Sequence, residues 1–492
     1  MQTSNELPSE SKGSSTLGGL FWKFGERITA QLVSTIVSIV LLRILTPEDY
    51  GAVGIVTILI TVCNSFVSGG LGNALIQKKD ADSLDFSSIF YFGLLLSFGL
   101  FVALFGLAVP IARFYKNDQL IWIIRVMAIR LPVAAANSVQ QAYISRKMQF
   151  RLFFVATLFG TVVSAFVGII MARNGFGAWA LVAQYLSNVT IDTIVLFFIG
   201  GWTPRIQFSL ERVKKLLPYG MKLMGATLLD TLFNEIRSII ISARYSAVDL
   251  AMYDNGRKYP NLIVTNINSS ISSVMFPVMS KLQDNIDSIK LTMKKSIKFS
   301  TFLLAPLLCG FFSCAPRFVD VVLTDKWLPC VPYLRMACIM CLFYPIHTIN
   351  YQALNAVGES GKVLKLEVIK KSINIIILLS TMIFGVIWIA IGALVVSLLS
   401  TYINSIYSGK AFGYSFVEQI RDIIPYLALS TIMSVVIIAF DLYVDINSIF
   451  MLVMEVFIGA IIYYIGSRIL KFDALNVLRE KLHYIWLTIM KK

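Results

Sequence analysis

Several arginines of this 492-residue chain fall inside stretches that are otherwise apolar, and they do so at helical spacing. Arg27 is followed by Gln31, Ser34 and Ser38 at i, i+4, i+7 and i+11, which is one face of a helix. Asp230, Asn234 and Arg237 recur at i, i+4 and i+7, with Glu235 beside them. Arg130, Asn137 and Gln141 share a face, and Arg125 adds a second guanidinium to that segment. Arg257, Asn261, Asn268 and Ser272 make a fourth stripe, and Arg335, His347 and Asn350 fall on a fifth segment. A charge facing lipid at mid-bilayer costs about 2.5–3.5 kcal/mol, so these side chains are expected to face an aqueous cavity. Excess guanidinium suits an anion such as a phosphate, a pyrophosphate or a uronic acid, whose oxygens accept two parallel hydrogen bonds from the arginine fork. The candidate cavity set is Arg27, Gln31, Arg125, Arg130, Asp230, Asn234, Arg237, Arg257 and Asn261. The alternative for each charge is an intramembrane ion pair or a side chain reaching from a helix end to the interface. That is the better account of Arg43, Lys222 and Arg335, which stand near segment ends.

The elements that carry these residues are long apolar segments. Hydrophobic residues make up 57% of the chain and charged residues 14%, and the mean hydropathy is +0.74. A soluble protein carries nearer a quarter charged residues. Roughly fourteen segments approach the ~20 residues that a helix needs to cross the hydrocarbon layer. They are 20–45, 52–76, 89–112, 120–142, 153–172 and 176–199, then 218–242, 258–279, 299–323 and 331–356, and finally 364–384, 386–407, 423–440 and 446–465. They are too long and continuous for barrel strands. The fold class is therefore an all-α polytopic membrane protein. No small-residue cleavage site follows the first apolar run, which is expected to stay as an anchor.

Net charge is +15, and its placement explains it. With the N-terminus cytoplasmic, Lys78–Lys79, Arg146–Lys147, Lys214–Lys215 and Lys294–Lys295 fall on the cytoplasmic side. Lys370–Lys371 fall in the first turns of a span, at its cytoplasmic end. This positive-inside pattern puts both ends in the cytoplasm and makes anionic membrane lipids the partner of the basic surface rather than nucleic acid. Leu475, Leu478, Leu482, Ile485 and Ile489 sit at helical spacing within 470–492, which reads as an amphipathic helix on that surface.

Enzyme chemistry finds little support. The six cysteines read as small packing residues, and a single C-x-x-C, Cys338 and Cys341, lies in an apolar helix without a second pair. Gly358, Gly361 and Lys362 imitate a phosphate-binding loop at the wrong spacing. His347 stands alone and reads as a packing or cavity residue. No metal and no cofactor is expected, although Asp230, Glu235 or Glu26 could take up a proton or sodium ion during transport. Pro132, Pro277, Pro306, Pro345 and Pro425 lie within or beside spans and permit bends.

The chain also echoes itself about 200 residues apart. Thr46 pairs with Ser246, Asp49 with Asp249 and Gly25 with Gly225. An offset of six helices preserves orientation and gives two parallel six-helix lobes. The expected organisation is a cytoplasmic tail over 1–19, an N-lobe over 20–205, a C-lobe over 206–412, two further spans over 413–468 and the amphipathic tail over 469–492.

Particular blocks then resemble a known family. LLRILTPEDYGAVGIV (41–56) followed by GGLGNALIQKKD (69–80) resembles the polysaccharide-export flippases of the multidrug/oligosaccharidyl-lipid/polysaccharide exporter superfamily, of lipopolysaccharide and colanic-acid export type. The likeness continues through VPIARFYKNDQL (109–120), QQAYISRKMQF (140–150), GFGAWALVAQ (175–184), the run over 253–285 and DKWLPCVPYLRMACIM (325–340), and so spans nearly the whole chain. The resemblance implies a V-shaped bundle of two pseudo-symmetric six-helix lobes with a basic central cavity and two extra C-terminal helices. It implies a transporter, not an enzyme, that moves undecaprenyl-diphosphate-linked oligosaccharide across the bacterial inner membrane by alternating access, for O-antigen, capsule or exopolysaccharide synthesis. The implied partners are the lipid-linked oligosaccharide and the polysaccharide polymerase and glycosyltransferases of the same pathway. Basic residues of the first and eighth helices line the family's cavity, and Arg27 and Arg257 stand at comparable places. A cation-coupled multidrug exporter of the same superfamily is the alternative; it calls for uncompensated carboxylates, and here arginines outnumber Asp230 and Glu235. A polymerase or lipid-linked glycosyltransferase calls for a large outer loop, which is missing. A scaffold leaves the polar stripes unexplained.

Overall fold

The computed structural model describes residues 31–480 apart from Asp445 and Val477. Arg27 and most of the expected tail helix lie outside those residues. The elements of the described chain are helices, as hydrocarbon demands, because a helix satisfies its own backbone groups where no water is available.

The chain divides into two units, Met1–Ala251 and Met252–Lys492. The first holds α1 (Gln31–Ile44), α2 (Pro47–Ser68), α3 (Leu71–Gln77), α4 (Ser83–Phe114), α5 (Gln119–Ala128), α6 (Arg130–Arg146), α7 (Phe150–Arg173), α8 (Ala178–Ile199) and α9 (Leu210–Arg244). The boundary falls just after the start of α10 (Ala247–Lys281). The second unit continues with α11 (Ile286–Ser313), α12 (Ala315–Phe318), α13 (Val331–Cys341), α14 (Tyr344–Ala356), α15 (Ser360–Thr381), α16 (Val386–Phe412), α17 (Phe416–Tyr443) and α18 (Ser448–Ile469).

Every apolar segment read from the sequence overlaps one of these helices. Among the described residues ten helices are long and apolar enough to span a membrane, or eleven if the pair bent by 41° between Cys341 and Tyr344 is one span. The sequence suggests roughly fourteen. The difference lies in α9 and α15, which are long but more polar, and in α1, whose described part is short.

Helix starts are set by local chemistry. The Thr46 hydroxyl accepts the Asp49 N–H at 3.3 Å, and the Asp49 carboxylate accepts the Thr46 N–H at 3.1 Å. Ser246 and Asp249 build the same reciprocal cap at 3.0 and 3.1 Å. The resemblance of these two sequence blocks is thus a shared capping device. Just inside the first cap, Gly51 lets α2 meet the start of α10. A Cβ placed on Gly51 falls 2.0 Å from the Ala247 carbonyl oxygen.

One end of the first unit is tied by charge. Asp85, in the first turn of α4, has a fully buried side chain that accepts from Lys78 at 2.6 Å and lies 3.4 Å from Arg212 at the start of α9. Arg212 also lies 3.3 Å from Asp82. The Asp85 N–H, which donates to Asp82, holds the Asp82 carboxyl below the usual carboxylate range. Arg146, ending α6, donates to the carbonyls of Leu75, Lys78 and Lys79 and so caps the C-terminus of α3. Phe86, Phe90, Tyr143 and Trp202 pack edge-on and tilted against one another beside this cluster.

In the second unit, α11 and α17 pack together, and α16 packs against α13, α14 and α15. Asn350, expected as part of a cavity stripe, is instead fully buried in a structural network with Ser405, Ser408 and Gln419, donating to the Gln419 side chain at 2.8 Å. Lys370 also departs from expectation. Because α15 begins at Ser360, Lys370 lies three turns in, is 6% exposed, and meets Glu367 at 2.5 Å and the His347 ring at 3.4 Å. Among the five prolines, the breaks fall next to Pro132, which stands in the first turn of α6, and Pro345, which stands in that of α14. Pro277, Pro306 and Pro425 lie inside continuous helices.

Replacing Gly51 by valine is expected to destabilise the protein by more than ~3 kcal/mol, because the obstacle is backbone and cannot rotate away. Gly93→Ala, at a position with nothing within 4 Å, should leave the melting temperature in detergent unchanged or slightly raised. Equal melting temperatures for Gly51→Val and the parent protein would contradict the close contact.

Candidate functional site

A cavity of about 380 Å³ lies within the first unit between α2, α3, α6 and α8. The size falls among small-molecule sites, roughly 300–1,000 Å³. Each wall is a polar stripe on an otherwise apolar helix. From α6 come Arg130, Asn137, Ser138, Gln141 and Ser145; from α2 come Asn64 and Ser68, one turn apart; from α8 come Asn188 and Asp192, also one turn apart. The short helix α3 adds Gly72 and Asn73.

The stripes are wired to one another. Asn137 donates to the Asp192 carboxylate at 2.7 Å and to the Thr193 hydroxyl at 2.9 Å, while its own carbonyl accepts from Gln141 at 2.7 Å. Ser68 donates to Asn64 at 3.2 Å, and Asn188 donates to Ser164 at 3.3 Å. The Arg130 guanidinium stands 6.0 Å from the centre of the Tyr185 ring. Gly72 matters here because a Cβ would come within 3.1 Å of the Ser138 hydroxyl on the opposite wall. The lining therefore offers many neutral donors and acceptors, one guanidinium and one carboxylate. That is the chemistry of a polyhydroxylated ligand rather than of an apolar one.

Of the nine residues singled out from sequence, Arg130 lines this cavity. Arg125 sits instead over the rings of Phe105 at 4.5 Å and Trp122 at 5.2 Å, and its buried Nε has no hydrogen-bond partner among the described residues. Gln31 begins the described part of α1, its carbonyl accepting from Thr35 at 2.7 Å. On α9, Asn234 donates to Asp230 at 3.3 Å; both are exposed, and Arg237 is half-buried. In the second unit, Arg257 pairs with Asp254 at 3.2 Å and lies 5.2 Å from the Tyr253 ring, and Asn261 lies 3.6 Å from the Cys341 sulfur. Arg27 is outside the described residues.

Sequence reasoning grouped Arg130, Asn137 and Gln141 but overlooked Asn64, Asn73, Asn188 and Asp192. The signal was present in the i, i+4 pairs Asn64/Ser68 and Asn188/Asp192, each inside a strongly apolar segment.

Residues 40–332 match the family described as polysaccharide biosynthesis protein. The chain belongs to that family. The chain is 24% identical over 297 residues to the succinoglycan biosynthesis transport protein ExoT of Rhizobium meliloti, an alignment spanning 60% of each chain. It is 21% identical over 425 residues to the lipopolysaccharide biosynthesis protein WzxC of Escherichia coli, spanning 85% of this chain and 86% of that one. Among solved structures, the lipid II flippase MurJ in an inward closed conformation has the same fold, with a TM-score of 0.74 and 13% identity over 92% of this chain and 99% of the other. This member of the polysaccharide biosynthesis family is accordingly a multi-pass membrane protein with the all-helical architecture of a known flippase.

The Asn137–Asp192 contact gives a test of the wiring. Asn137→Ala is expected to cost about 1.5–3 kcal/mol by depriving a carboxylate of its donor. Asn137→Asp should cost more, through repulsion between adjacent carboxylates, and Asp192→Asn should restore much of that loss. Additive melting-temperature changes in the double variant would show that the two side chains do not interact.

Proposed function

We propose that this chain is a flippase that moves undecaprenyl-diphosphate-linked oligosaccharide units from the cytoplasmic to the outer leaflet of the bacterial inner membrane, both of its termini being cytoplasmic, for the synthesis of a surface polysaccharide. The observation that carries the reading is the cavity of the first unit. Its amides, hydroxyls, single guanidinium and neighbouring tyrosine ring suit sugar hydroxyls, and they stand inside a helical bundle where such groups are costly unless used. A glycan can be passed through such a lining without net charge, whereas the pyrophosphate requires separate cations. Arg27 and Arg237 are the residues assigned to the pyrophosphate, on the strength of their positions inside apolar segments of the sequence.

The family match and the names of the relatives support a transport step in polysaccharide synthesis. The fold supports passage of a lipid-linked cargo, since MurJ is described as a lipid II flippase. The polymerase and glycosyltransferases of the pathway follow as functional partners. Alternating access, with the cavity opening to each leaflet in turn, is the corresponding cycle.

Deleting the gene in the native bacterium should accumulate undecaprenyl-diphosphate oligosaccharide and remove the surface glycan, read by mass spectrometry of lipid extracts and by glycan analysis. Unchanged glycan combined with new sensitivity to cationic drugs would favour the multidrug-exporter alternative. In complemented cells, Arg27→Ala should abolish export, and Arg130→Gln and Asp192→Asn should each reduce it at least about tenfold, a loss of ~1.4 kcal/mol, at unchanged protein level. Normal export by a well-expressed Arg130→Gln variant would remove this cavity from the route.

A further inference from the structure

On one flank of the first unit, away from the cavity, a cation stands among exposed apolar side chains. Trp122, Arg125 and Ile129 recur at i, i+3 and i+7, and Trp122 and Ile129 are both exposed. Phe98, Val102 and Phe105 make a like face of α4 at i, i+4 and i+7, and all three are exposed. In a membrane-spanning chain such apolar stripes are the surface that meets lipid. The Arg125 guanidinium lies 4.5 Å from the centre of the Phe105 ring and 5.2 Å from that of Trp122. Its buried Nε has no hydrogen-bond partner, and no carboxylate pairs with Arg125 among the described residues. The rings therefore flank this charge without neutralising it.

Depth and charge decide what such a group can meet. α4 starts at the rim where Asp85 meets Lys78 and Arg212 and runs 32 residues to Phe114, so Arg125 belongs to the opposite end. Arg125 stands six residues past the start of α5 and Phe105 nine before the end of α4, about 9 and 14 Å from the turn between them. Half of the hydrocarbon layer is about 15 Å, so the guanidinium lies just beneath the headgroups, where an arginine reaches back to a phosphate. At the turn itself Arg113 and Lys116 are exposed, with Asp118 the one carboxylate of residues 113–118. We propose that this flank of α4 and α5 is a binding site for an anionic phospholipid. Arg125 holds the phosphodiester by a fork onto two oxygens, and the acyl chains run down the face of Val102 and Phe98. The side chains seen against Arg125 are aromatic and carry no hydroxyl or amide, unlike the cavity lining. The site therefore fits a membrane lipid and not the glycan of a lipid-linked cargo.

The test uses the full chain in detergent, with phosphatidylglycerol titrated in and bound lipid counted by native mass spectrometry. Arg125→Met should weaken one phosphatidylglycerol site about fivefold, the loss expected of one cation beside a lipid surface. Phosphatidylcholine, whose choline offsets its phosphate, should bind parent and variant alike. Equal phosphatidylglycerol binding by the parent and a folded Arg125→Met variant overturns the site, and an equal loss of both lipids overturns the role of charge. Undecaprenyl diphosphate that displaces the Arg125-dependent lipid at a lower concentration than phosphatidylglycerol itself gives the site to the cargo's carrier and overturns the phospholipid. If Arg125→Met fails to fold, Trp122→Phe gives a second reading in vesicles. The share of tryptophan emission lost on that substitution should be quenched more by brominated phosphatidylglycerol than by brominated phosphatidylcholine at equal mole fraction. Equal quenching overturns the proposal. None of these readouts measures transport, so the inference fails or holds separately from the flippase reading.

Discussion

Hydrocarbon has nothing to offer a polar group, and that constraint organises the molecule. The backbone answers it by forming helices as the elements of the described segments. Side chains answer it by turning inward. Asn137, Gln141, Asn188 and Asp192 lie on helices that are otherwise built of leucine, valine, alanine and phenylalanine, and each stripe is directed at another stripe rather than at lipid. The cavity is what remains between walls that satisfy one another only partly. In the second unit Asn350, Ser405, Ser408 and Gln419 close a network with one another and leave no cavity between them. The contrast separates structural polarity from polarity left available to a visitor.

At the helix ends a different balance holds. Lys78, Asp82, Asp85, Arg146 and Arg212 join α3, α4, α6 and α9 at one rim of the first unit. Lys290, Lys294 and Lys298 meet Glu418 and Asp422 in the second, at 3.6, 3.4 and 3.1 Å. The basic residues that a topology rule reads as mere orientation signals thus also hold helix ends in place. The two uses are compatible, since a cation at a helix terminus satisfies both the interface and the orphan carbonyls, as Arg146 does for α3.

Much of the helical framework was legible in the sequence, because apolar runs and capping residues are local signals. The reciprocal caps at Thr46 and Ser246 are visible as spaced letters before any coordinates exist. The stripe on α6 was equally visible, since intervals of seven and eleven residues return to nearly the same face. Arg125 does not share that face: it stands on α5, before the break that opens α6, and lies over the rings of Phe105 and Trp122. Asp192 is less visible for another reason. It is a single carboxyl in an apolar run, and its meaning comes from a partner on another helix, Asn137. Lys370 is placed differently because α15 starts earlier than its hydropathy suggests, which sets that ammonium three turns in and buries it.

The composition of the cavity lining also bears on kinetics. With one guanidinium and one carboxyl among otherwise uncharged polar groups, the site projects little field into its surroundings. Encounter with a ligand there receives no long-range steering, and its rate should vary little with ionic strength. Selection must come from the geometry of many weak, short-range contacts, which favours quick release over tight capture. For a carrier that turns over a bulky cargo, fast dissociation is the more useful property.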